Sequence, residues 1–312
     1  MNYALTYDDI QLVPAYSEIK SRQNIKLHTM LTRRYGLLNP LVASPMDTVC
    51  EFEMAYKMAE YGGVGCIHRF MSIQQQTKIV ERLHQGIYGD GFGGAIAEHW
   101  GVMFDDWHAE IKAVPIMAAI GVQTEDRVRA KELVKAGANV LLIDVAHGHH
   151  KNVIDMVKWC KEQPEFVDVD IIAGNIATAE AAIDLENAGA DGLRVGIGGG
   201  SLCTTRIKTG FGVPNVTSLE DVISEAKTPV MADGGIRTSG DMAKALALGA
   251  STIMIGSLIA GTDESPGQIL ETPKGLYKRY RGSASLETKT THGQAARNVE
   301  GESTVIPYKG GV

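Results

Sequence analysis

The chain has 312 residues, which is enough for one large domain or two small ones with a sizeable hydrophobic core. Its composition (44% hydrophobic, 21% charged) is typical of a soluble globular enzyme, and its net charge of −7 without a basic cluster argues against nucleic acid as a partner. No apolar run approaches the roughly 18 residues of a membrane helix and the N-terminus has no signal pattern, so we expect a cytoplasmic protein that binds no membrane.

Short apolar runs recur along the chain, and most of them end in Gly, Asp, His or Asn before an amphipathic stretch begins. Each run is typical of a strand that is buried on both faces. The eight predicted strands are Leu41–Met46, Gly63–His68, Pro115–Gly121, Val140–Val145, Asp170–Ile176, Gly192–Ile197, Pro229–Gly234 and Thr252–Ser257.

Helical patterns separate several of these strands, for example Glu125–Ala136 and Ala179–Ala188. Gly137, Gly189 and Gly249 follow such stretches, as expected where a helix ends before the next strand. Eight β–α units in one chain favour a (β/α)8 TIM barrel over a doubly wound sheet. We therefore predict a single α/β catalytic domain over residues 1–312.

One connection, residues 71–114 between the second and third predicted strands, is much longer than the others. A connection of this length is usually an inserted element or an active-site lid. Within it, Gly86–Gly94 is so rich in glycine that we do not expect a simple helix there.

The cysteines, at positions 50, 66, 160 and 203, form no CxxC pair and have no metal-ligand spacing with histidine. Free thiols in a reducing compartment are the expected state. Cys50, Cys66 and Cys160 are predicted to be buried and inert. Cys203 differs from them because it lies in the glycine-rich loop Gly198–Arg206, at the end of a predicted strand.

The loop Gly198–Arg206 combines a phosphate cradle with a thiol. Its three consecutive glycines free the backbone to turn N–H groups inward, and Ser201 can add a hydroxyl to a phosphate. Cys203 is placed just past the turn as a nucleophile, and Thr205 can hold a hydroxyl and a water beside the reacting carbon. The loop therefore predicts covalent chemistry on a phosphorylated small molecule.

Two further loops at the carboxyl ends of strands, Asp233–Gly235 and Gly256–Ser257, can complete one phosphate pocket with Gly198–Ser201, since late strands of a barrel commonly share such a site. Asp233 cannot bind phosphate, but its carboxylate suits the two hydroxyls of a ribose, so the expected ligand is a nucleotide. The alternative is that these glycines are only tight turns between strands and helices.

Histidines 147, 149 and 150 share a loop after the fourth predicted strand, without the fixed spacing that a metal site needs. We favour contact with a ligand or cofactor over metal binding. The pair His68-Arg69 is either structural or substrate-facing, and both interpretations stay open. No GxGxxG follows the first strand, so a dinucleotide would have to lie in the mouth of the barrel.

Several motifs together resemble the IMP dehydrogenase/GMP reductase family over essentially the whole chain. These motifs are Leu5–Pro14, Ala43–Val49, Asp144–His149, Ala173–Asn175, Val195–Arg206, Ala232–Ile236 and Ala260–Pro266. One departure is Gly199, where the family usually has proline, so we expect a more flexible loop. The family normally continues by some tens of residues beyond the sequence that matches Pro307–Val312.

The resemblance implies a TIM barrel, usually a homotetramer, that binds a purine nucleoside 5′-monophosphate and uses NADPH or NAD. Cys203 would attack purine C2 and Thr205 would assist the following step. The residues that it implies for substrate are Ser44, Met46, Ser201, Asp233, Gly234, Gly235, Gly256, Ser257, Tyr280, Gly282 and Ser283. On the cofactor side it implies Asp144, Ala146, His147 and Asn175, and in dehydrogenases a potassium ion (K+) sits on carbonyls that match Gly198, Gly200 and Cys203.

The segment 281–307 corresponds to a short active-site flap. Dehydrogenases hydrolyse their intermediate with an Arg-Tyr pair on a long flap, and here Arg297 is followed by Asn298. Reductases use a glutamate after a turn in this region, for which Glu287 is the nearest candidate although it lies one position late. Glu287 is equally well explained as a solvated carboxylate at a helix start.

The two branches of the family share the loop Gly198–Arg206, which we call the nucleophile loop, so only the flap distinguishes between them. Ala43–Val49, Ile67–Gln75 and Asn175–Glu180 look dehydrogenase-like, but the connection 71–114 is far too short for the pair of regulatory CBS modules that dehydrogenases usually carry. A GMP reductase is our first expectation, because the Arg-Tyr pair is missing, the flap is short, and the stretches Lys208–Gly210 and Arg297–Gly301 look reductase-like. A dehydrogenase without CBS modules is the second, and a non-catalytic nucleotide-binding protein is the third.

Overall fold

The computed structural model of the chain describes residues 3–89, 113–291 and 299–312, together with 96, 98 and 100. A closed barrel of eight parallel strands forms its centre, in the circular order β10-β3-β4-β5-β6-β7-β8-β9. In chain order the strands are β1 Thr29–Met30, β2 Gly36–Leu37, β3 Leu41–Ala43, β4 Val64–Ile67, β5 Met117–Ile120, β6 Val140–Asp144, β7 Asp170–Ile176, β8 Gly192–Val195, β9 Val230–Asp233, β10 Thr252–Ile255, β11 Leu270–Thr272, β12 Gly275–Arg281 and β13 Ser303–Pro307.

Helices follow the barrel strands and cover the barrel from outside, whereas α6 lies in the loop after β8 and α9 follows β12. The helices with described bounds are α1 Phe52–Glu60, α2 Ile73–Tyr88, α3 Thr124–Lys135, α4 Lys151–Glu162, α5 Ala179–Ala188, α6 Thr205–Lys208, α7 Asn215–Glu225, α8 Ser239–Ala247 and α9 Leu286–Thr291, with short 3-10 turns at Tyr7–Asp9, Arg22–Asn24 and Pro164–Phe166. Within the part of the chain that the structure describes, none of these helices is long and apolar enough to cross a bilayer.

The local sequence explains where the helices begin and end. The hydroxyls of Thr178 and Thr238 accept hydrogen bonds from the first turns of α5 and α8, as N-cap residues do. Gly137, Gly189 and Gly249 have φ near +107°, a left-handed conformation that lets the chain leave a helix and enter the next strand. The predicted role of these glycines is confirmed.

The core is the barrel itself. Every residue is buried in four of the barrel strands, β4, β5, β8 and β10. This is expected for strands that have the barrel interior on one face and the surrounding helices on the other. The predicted (β/α)8 TIM barrel is confirmed, and each of the eight predicted apolar runs contains one barrel strand.

Two small antiparallel sheets lie outside the barrel, β1-β2 and β11-β12-β13. In the second sheet, Tyr280 of β12 pairs with Thr304 of β13, so the two ends of the segment between these strands lie next to each other. The predicted flap, 281–307, consists of this segment together with the last residue of β12 and all of β13. It contains α9, while residues 292–298 lie outside the described residues.

The long connection 71–114 is only partly described. α2 continues through Gly86 and ends at Tyr88, so the beginning of Gly86–Gly94 is helical, contrary to our expectation. Helix packing explains this, because the helix side of Gly86 faces the ring of Tyr56, where a Cβ would lie 3.1 Å from Cε2. The rest of the glycine-rich stretch falls outside the described residues.

Candidate active site

Cys203 lies in the loop that follows β8, at the carboxyl-terminal mouth of the barrel. The loop begins with two left-handed glycines, Gly196 (φ 141°) and Gly198 (φ 89°). A tight turn, closed by the Cys203 N–H that donates to the Gly200 carbonyl over 3.1 Å, leads to the thiol. Cys203 is half-buried, whereas Cys50, Cys66 and Cys160 are buried.

A line of three side chains runs from the thiol into the flap. The Cys203 thiol donates to Thr205 Oγ1 over 3.2 Å, and the Thr205 hydroxyl donates to Glu300 Oε2 over 2.9 Å. The hydroxyl therefore lies between a sulfur and a carboxylate, which is the arrangement that a proton relay needs. We call this line the Cys203–Thr205–Glu300 relay.

Backbone pairing fixes Glu300 against the nucleophile loop. The Thr204 N–H donates to the Glu300 carbonyl over 2.9 Å, and the Glu302 N–H donates to the Leu202 carbonyl over 3.0 Å. Cys203 and Gly301 form an antiparallel bridge between these contacts. Sequence reasoning did not select Glu300, although the reductase-like stretch Arg297–Gly301 contains it and could have pointed to it.

Glu287 lies elsewhere. It is in the first turn of α9, where its carboxylate pairs with Arg279 Nη1 at 2.6 Å and with Arg281 Nη1 at 3.4 Å. Burial alone would raise the pKa of Glu287, but hydrogen bonds from Ser303 and Arg279 and the two guanidinium charges together lower it. The carboxylate on Thr205 is thus that of Glu300, and Glu287 joins the helix of the flap to β12.

Four of the residues implied for substrate converge around Gly256. A Cβ at this glycine would lie 3.1 Å from the Tyr280 hydroxyl, and 3.4 Å from both Ser44 Oγ and Met46 Sδ. The Tyr280 and Ser201 hydroxyls lie 3.2 Å apart. The structure therefore brings the end of β10, the loop after β3 and the nucleophile loop to one place.

The loop after β9 touches the nucleophile loop directly. A Cβ at Gly234 would lie 3.0 Å from Gly199 C and from Gly200 N, so a side chain at 234 would push the two loops apart. Gly234 and Gly235 both have positive φ, 89° and 75°. Successive glycines of this kind leave backbone N–H groups available to an anion.

The remaining residues implied for substrate border the same mouth. The Ser257 carbonyl accepts a hydrogen bond from Lys309 Nζ at 2.8 Å. The Gly282 N–H donates to the Glu302 carbonyl over 2.9 Å, at the base of the flap, and Ser283 follows it half-buried.

A buried arginine joins the two carboxylates at the strand ends. Arg194 Nη1 lies 2.6 Å from Asp144 Oδ1, and its Nη2 lies 3.0 Å from Asp233 Oδ2. Asn175 Nδ2 also donates to Asp233 Oδ2, over 2.7 Å. Burial would lower the pKa of Arg194, but the adjacent Asp233 and Asp144 outweigh it and raise the pKa above the ordinary value.

The loop after β6 carries the other residues implied for the cofactor. Ala146 and His147 are exposed there, and the rings of His147 and His149 meet edge to face at 6.5 Å. His149 Nε2 lies 2.9 Å from Asp184. Over residues 3–89, 113–291 and 299–312, no three histidine, cysteine or carboxylate side chains converge as a metal site would require.

Comparison with known proteins identifies the family. A family model described as "IMP dehydrogenase / GMP reductase domain" matches residues 4–312. The chain belongs to this family. It is therefore an NAD(P)-dependent oxidoreductase that acts on purine 5′-monophosphates, and the expectations for family and enzyme class are confirmed.

Relatives from both branches of the IMP dehydrogenase/GMP reductase family are similar to this chain. An inosine-5′-monophosphate dehydrogenase of Cryptosporidium parvum is 42% identical over 90% of this chain and 74% of that protein, and a GMP reductase of Leishmania major is 34% identical over 98% and 87%. A crystal structure of a cysteine-to-alanine variant of Trypanosoma brucei GMP reductase, in complex with guanosine 5′-monophosphate, superposes with a TM-score of 0.86 at 30% identity, covering 100% of this chain and 88% of that one.

Proposed function

We propose that this protein is a GMP reductase, which converts GMP and NADPH to IMP, ammonia and NADP. The observation that supports it best is the Cys203–Thr205–Glu300 relay, in which a carboxylate of the short flap reaches the hydroxyl beside the nucleophile. The flap carries Arg297-Asn298 in place of the Arg-Tyr pair that activates water in dehydrogenases. We therefore expect the site to favour release of ammonia over hydrolysis of the covalent intermediate.

In the first half of the reaction, the Cys203 sulfur attacks C2 of the purine and forms a C–S bond. The proton of the thiol passes through the Thr205 hydroxyl and Glu300 to the 2-amino group, because that hydroxyl is within hydrogen-bond reach of both partners. The C2–N bond then breaks and ammonia leaves. The net change is one thiol and one amino group converted to a thioether-like link and ammonia.

In the second half, a hydride from NADPH is required at C2, and the C–S bond breaks as the Cys203 sulfur leaves. A proton taken up from solvent passes through Glu300 and the Thr205 hydroxyl to the sulfur, which restores the thiol. Asp144, Ala146, His147 and Asn175, at the ends of β6 and β7, are proposed to face the nicotinamide half of the cofactor. We propose Glu300 as the catalytic acid in place of Glu287, because Glu300 contacts Thr205 whereas Glu287 pairs with Arg279 and Arg281.

The nucleotide is proposed to bind across the loops that meet at Gly256. Ser201, Tyr280 and the glycines of the three loops would hold the phosphate, and Ser44 and Met46 would contact the base, with Gly282 and Ser283 at the flap. Asp233 would bind the ribose through Oδ1, since its contacts with Arg194 and Asn175 all go to Oδ2.

A dehydrogenase without CBS modules, which would oxidise IMP with NAD to XMP, is the second candidate. It is favoured by the 42% identity to the Cryptosporidium parvum dehydrogenase. In that reaction the same relay would take a proton from an attacking water instead of giving one to the leaving 2-amino group.

Absorbance at 340 nm distinguishes the two candidates. We expect a decrease with GMP plus NADPH and no change with IMP plus NAD. An increase with IMP plus NAD, without any decrease on GMP, would contradict the reductase and establish the dehydrogenase. If neither pair reacts although GMP binds, the protein is a non-catalytic nucleotide-binding protein.

Potassium and a homotetramer also stay proposals. The carbonyls of Gly198, Gly200 and Cys203 lie within one tight loop, and carbonyl oxygens are suitable ligands for a hard cation. A potassium ion there would order the nucleophile loop. Replacing potassium by sodium in the 340 nm assay tests it, because an unchanged rate in sodium would exclude a required potassium ion.

A further inference from the structure

Asn215, the first residue of α7, is buried between the two loops that meet at the mouth of the barrel. Its Nδ2 donates to the carbonyls of Asp233 and Gly234, the former over 3.2 Å. A single amide therefore holds two consecutive carbonyls of the loop after β9.

The direction of these carbonyls decides where the following N–H groups point. In a trans peptide the C=O of one residue and the N–H of the next are antiparallel. When Asn215 holds the carbonyls of Asp233 and Gly234, the N–H groups of Gly234 and Gly235 are aimed to the opposite side. Consecutive N–H groups aimed to one side are a favourable site for an anion.

Gly199 of the nucleophile loop leaves the space that the amide occupies. A Cβ at this position would lie 2.7 Å from Asn215 Nδ2 and 2.8 Å from Cγ, which is closer than real Cβ atoms approach other groups. A side chain at 199 would therefore displace the Asn215 amide and release both carbonyls. The glycine that departs from the usual proline has a steric reason here.

We infer that Asn215 is a positioning residue for the phosphate of the nucleotide, and that Gly199 is paired with it to admit its amide. The inference rests on the proposed binding of a purine monophosphate, but it does not depend on the direction of the reaction. Tyr7 supports the same loop from another side, since its ring lies 3.6 Å from the Cβ position of Gly235.

Equilibrium titration with GMP and with guanosine, which lacks the phosphate, tests the inference. We expect Asn215→Ala to weaken GMP binding about tenfold, the effect of losing two hydrogen bonds, and to change guanosine binding less than twofold. Equal losses for GMP and guanosine, or no loss for GMP, would overturn it. If Asn215→Ala does not fold, Asn215→Ser makes the same test with a smaller polar side chain.

Ser218→Ala is the matched control. Ser218 is buried on the same helix, and its hydroxyl donates to the Ala177 carbonyl over 3.3 Å, away from the phosphate loop. We expect this variant to lose stability without loss of GMP affinity. A loss of GMP affinity as large as that of Asn215→Ala would show that any weakening of α7 has this effect, and would contradict the inference.

The pairing with Gly199 is tested by a double-mutant cycle. Gly199→Ala should weaken GMP binding about as much as Asn215→Ala, and it should add less than a further twofold when Asn215 is already alanine, because the space is then empty. Multiplicative losses would contradict the pairing. A wild-type protein that binds GMP but turns over neither substrate pair would refute the proposed function alone, whereas one that binds neither GMP nor IMP would refute both.

Discussion

The side-chain oxygens of Thr205 and Glu300 are hydrogen-bonded at 2.9 Å although the two residues are 95 positions apart in the chain. Thr205 is the first residue of α6, and Glu300 lies in the flap shortly before β13 begins at Ser303. The backbone of the flap also pairs with the nucleophile loop, so the contact between Glu300 and Thr205 depends on the packing of the flap against that loop. A short flap can therefore place a carboxylate beside the Thr205 hydroxyl.

Replacing Glu300 by glutamine should abolish the relay and leave the fold intact. Glutamine keeps the shape of the side chain but cannot release a proton, so kcat with GMP and NADPH is expected to fall about a hundredfold or more with little change in GMP affinity. Steady-state rates at 340 nm and equilibrium titration measure the two effects separately.

Glu302→Gln and Glu287→Gln are the controls for this variant. Glu302 is an exposed neighbour two residues further along the flap, and Glu287 is the nearest candidate for the catalytic glutamate in the sequence. Both variants should keep kcat within about threefold, since neither carboxylate contacts Thr205 in the described part of the chain. A larger fall for Glu287→Gln than for Glu300→Gln would return the acid role to Glu287.

Cys203→Ala should remove turnover and retain nucleotide binding. Without the sulfur no C–S bond can form at C2, so the rate is expected to fall about a thousandfold or more, while the phosphate and ribose contacts are unaffected. Cys160→Ala, which changes a buried thiol of α4, is the control and should keep the rate. Activity of Cys203→Ala near the wild-type level would contradict covalent catalysis.

The barrel could be predicted from the sequence because its causes are local. A run such as Asp170–Ile176 is apolar on both faces, and Gly189 allows only a few ways of ending the preceding helix, so strand, helix and turn each follow from neighbouring residues. Patterning of this kind, repeated eight times, leaves few alternatives to a closed barrel.

The Cys203–Thr205–Glu300 relay and the ion pairs of Arg194 with Asp144 and Asp233 could not be predicted in the same way. Glu300 meets Thr205 only through the pairing of flap and loop, and the amide of Asn215 matters only because Gly199 leaves space for it. Arg194 lies inside the apolar run of β8, and nothing in the local sequence indicates that its side chain joins Asp233 of the adjacent β9 to Asp144 of β6, which is two strands away. Such contacts depend on tertiary packing, which single-sequence patterns do not contain.

Arg194→Met should destabilise the protein by about 3–5 kcal/mol, because it leaves the carboxylates of Asp144 and Asp233 largely buried without their shared cation. Urea unfolding followed by circular dichroism measures the change. Arg194→Lys keeps the charge but cannot bind both carboxylates in fork geometry, so it should fall between wild type and Arg194→Met.

Arg82→Met is the matched control for this experiment. Arg82 forms an exposed ion pair with Glu53, at 3.4 Å, and pairs of this kind contribute about 0–1 kcal/mol. A loss for Arg194→Met no larger than the loss for Arg82→Met would mean that water already screens the two carboxylates, and the buried centre would then have no special role in stability.

The stability that Glu287 provides should depend on pH in the acid range. Burial raises its pKa, but the hydrogen bonds from Ser303 and Arg279 and the two arginine charges outweigh burial, so the pKa in the folded state is below the ordinary value of 4.5. A carboxylate with a lowered pKa stabilises the folded state above its unfolded pKa, and this contribution is lost as the pH falls through the folded pKa.

Glu287→Gln should therefore be less stable than wild type near neutral pH, and the difference should shrink as the pH falls from about 5 to about 3. Urea unfolding at a series of pH values measures it. Glu180→Gln, which removes an exposed carboxylate from the first turn of α5 without nearby arginine partners in the described chain, should show a smaller difference at neutral pH. A difference between wild type and Glu287→Gln that stays constant down to about pH 3 would mean that the ion pairs with Arg279 and Arg281 do not hold the flap helix to β12 in solution.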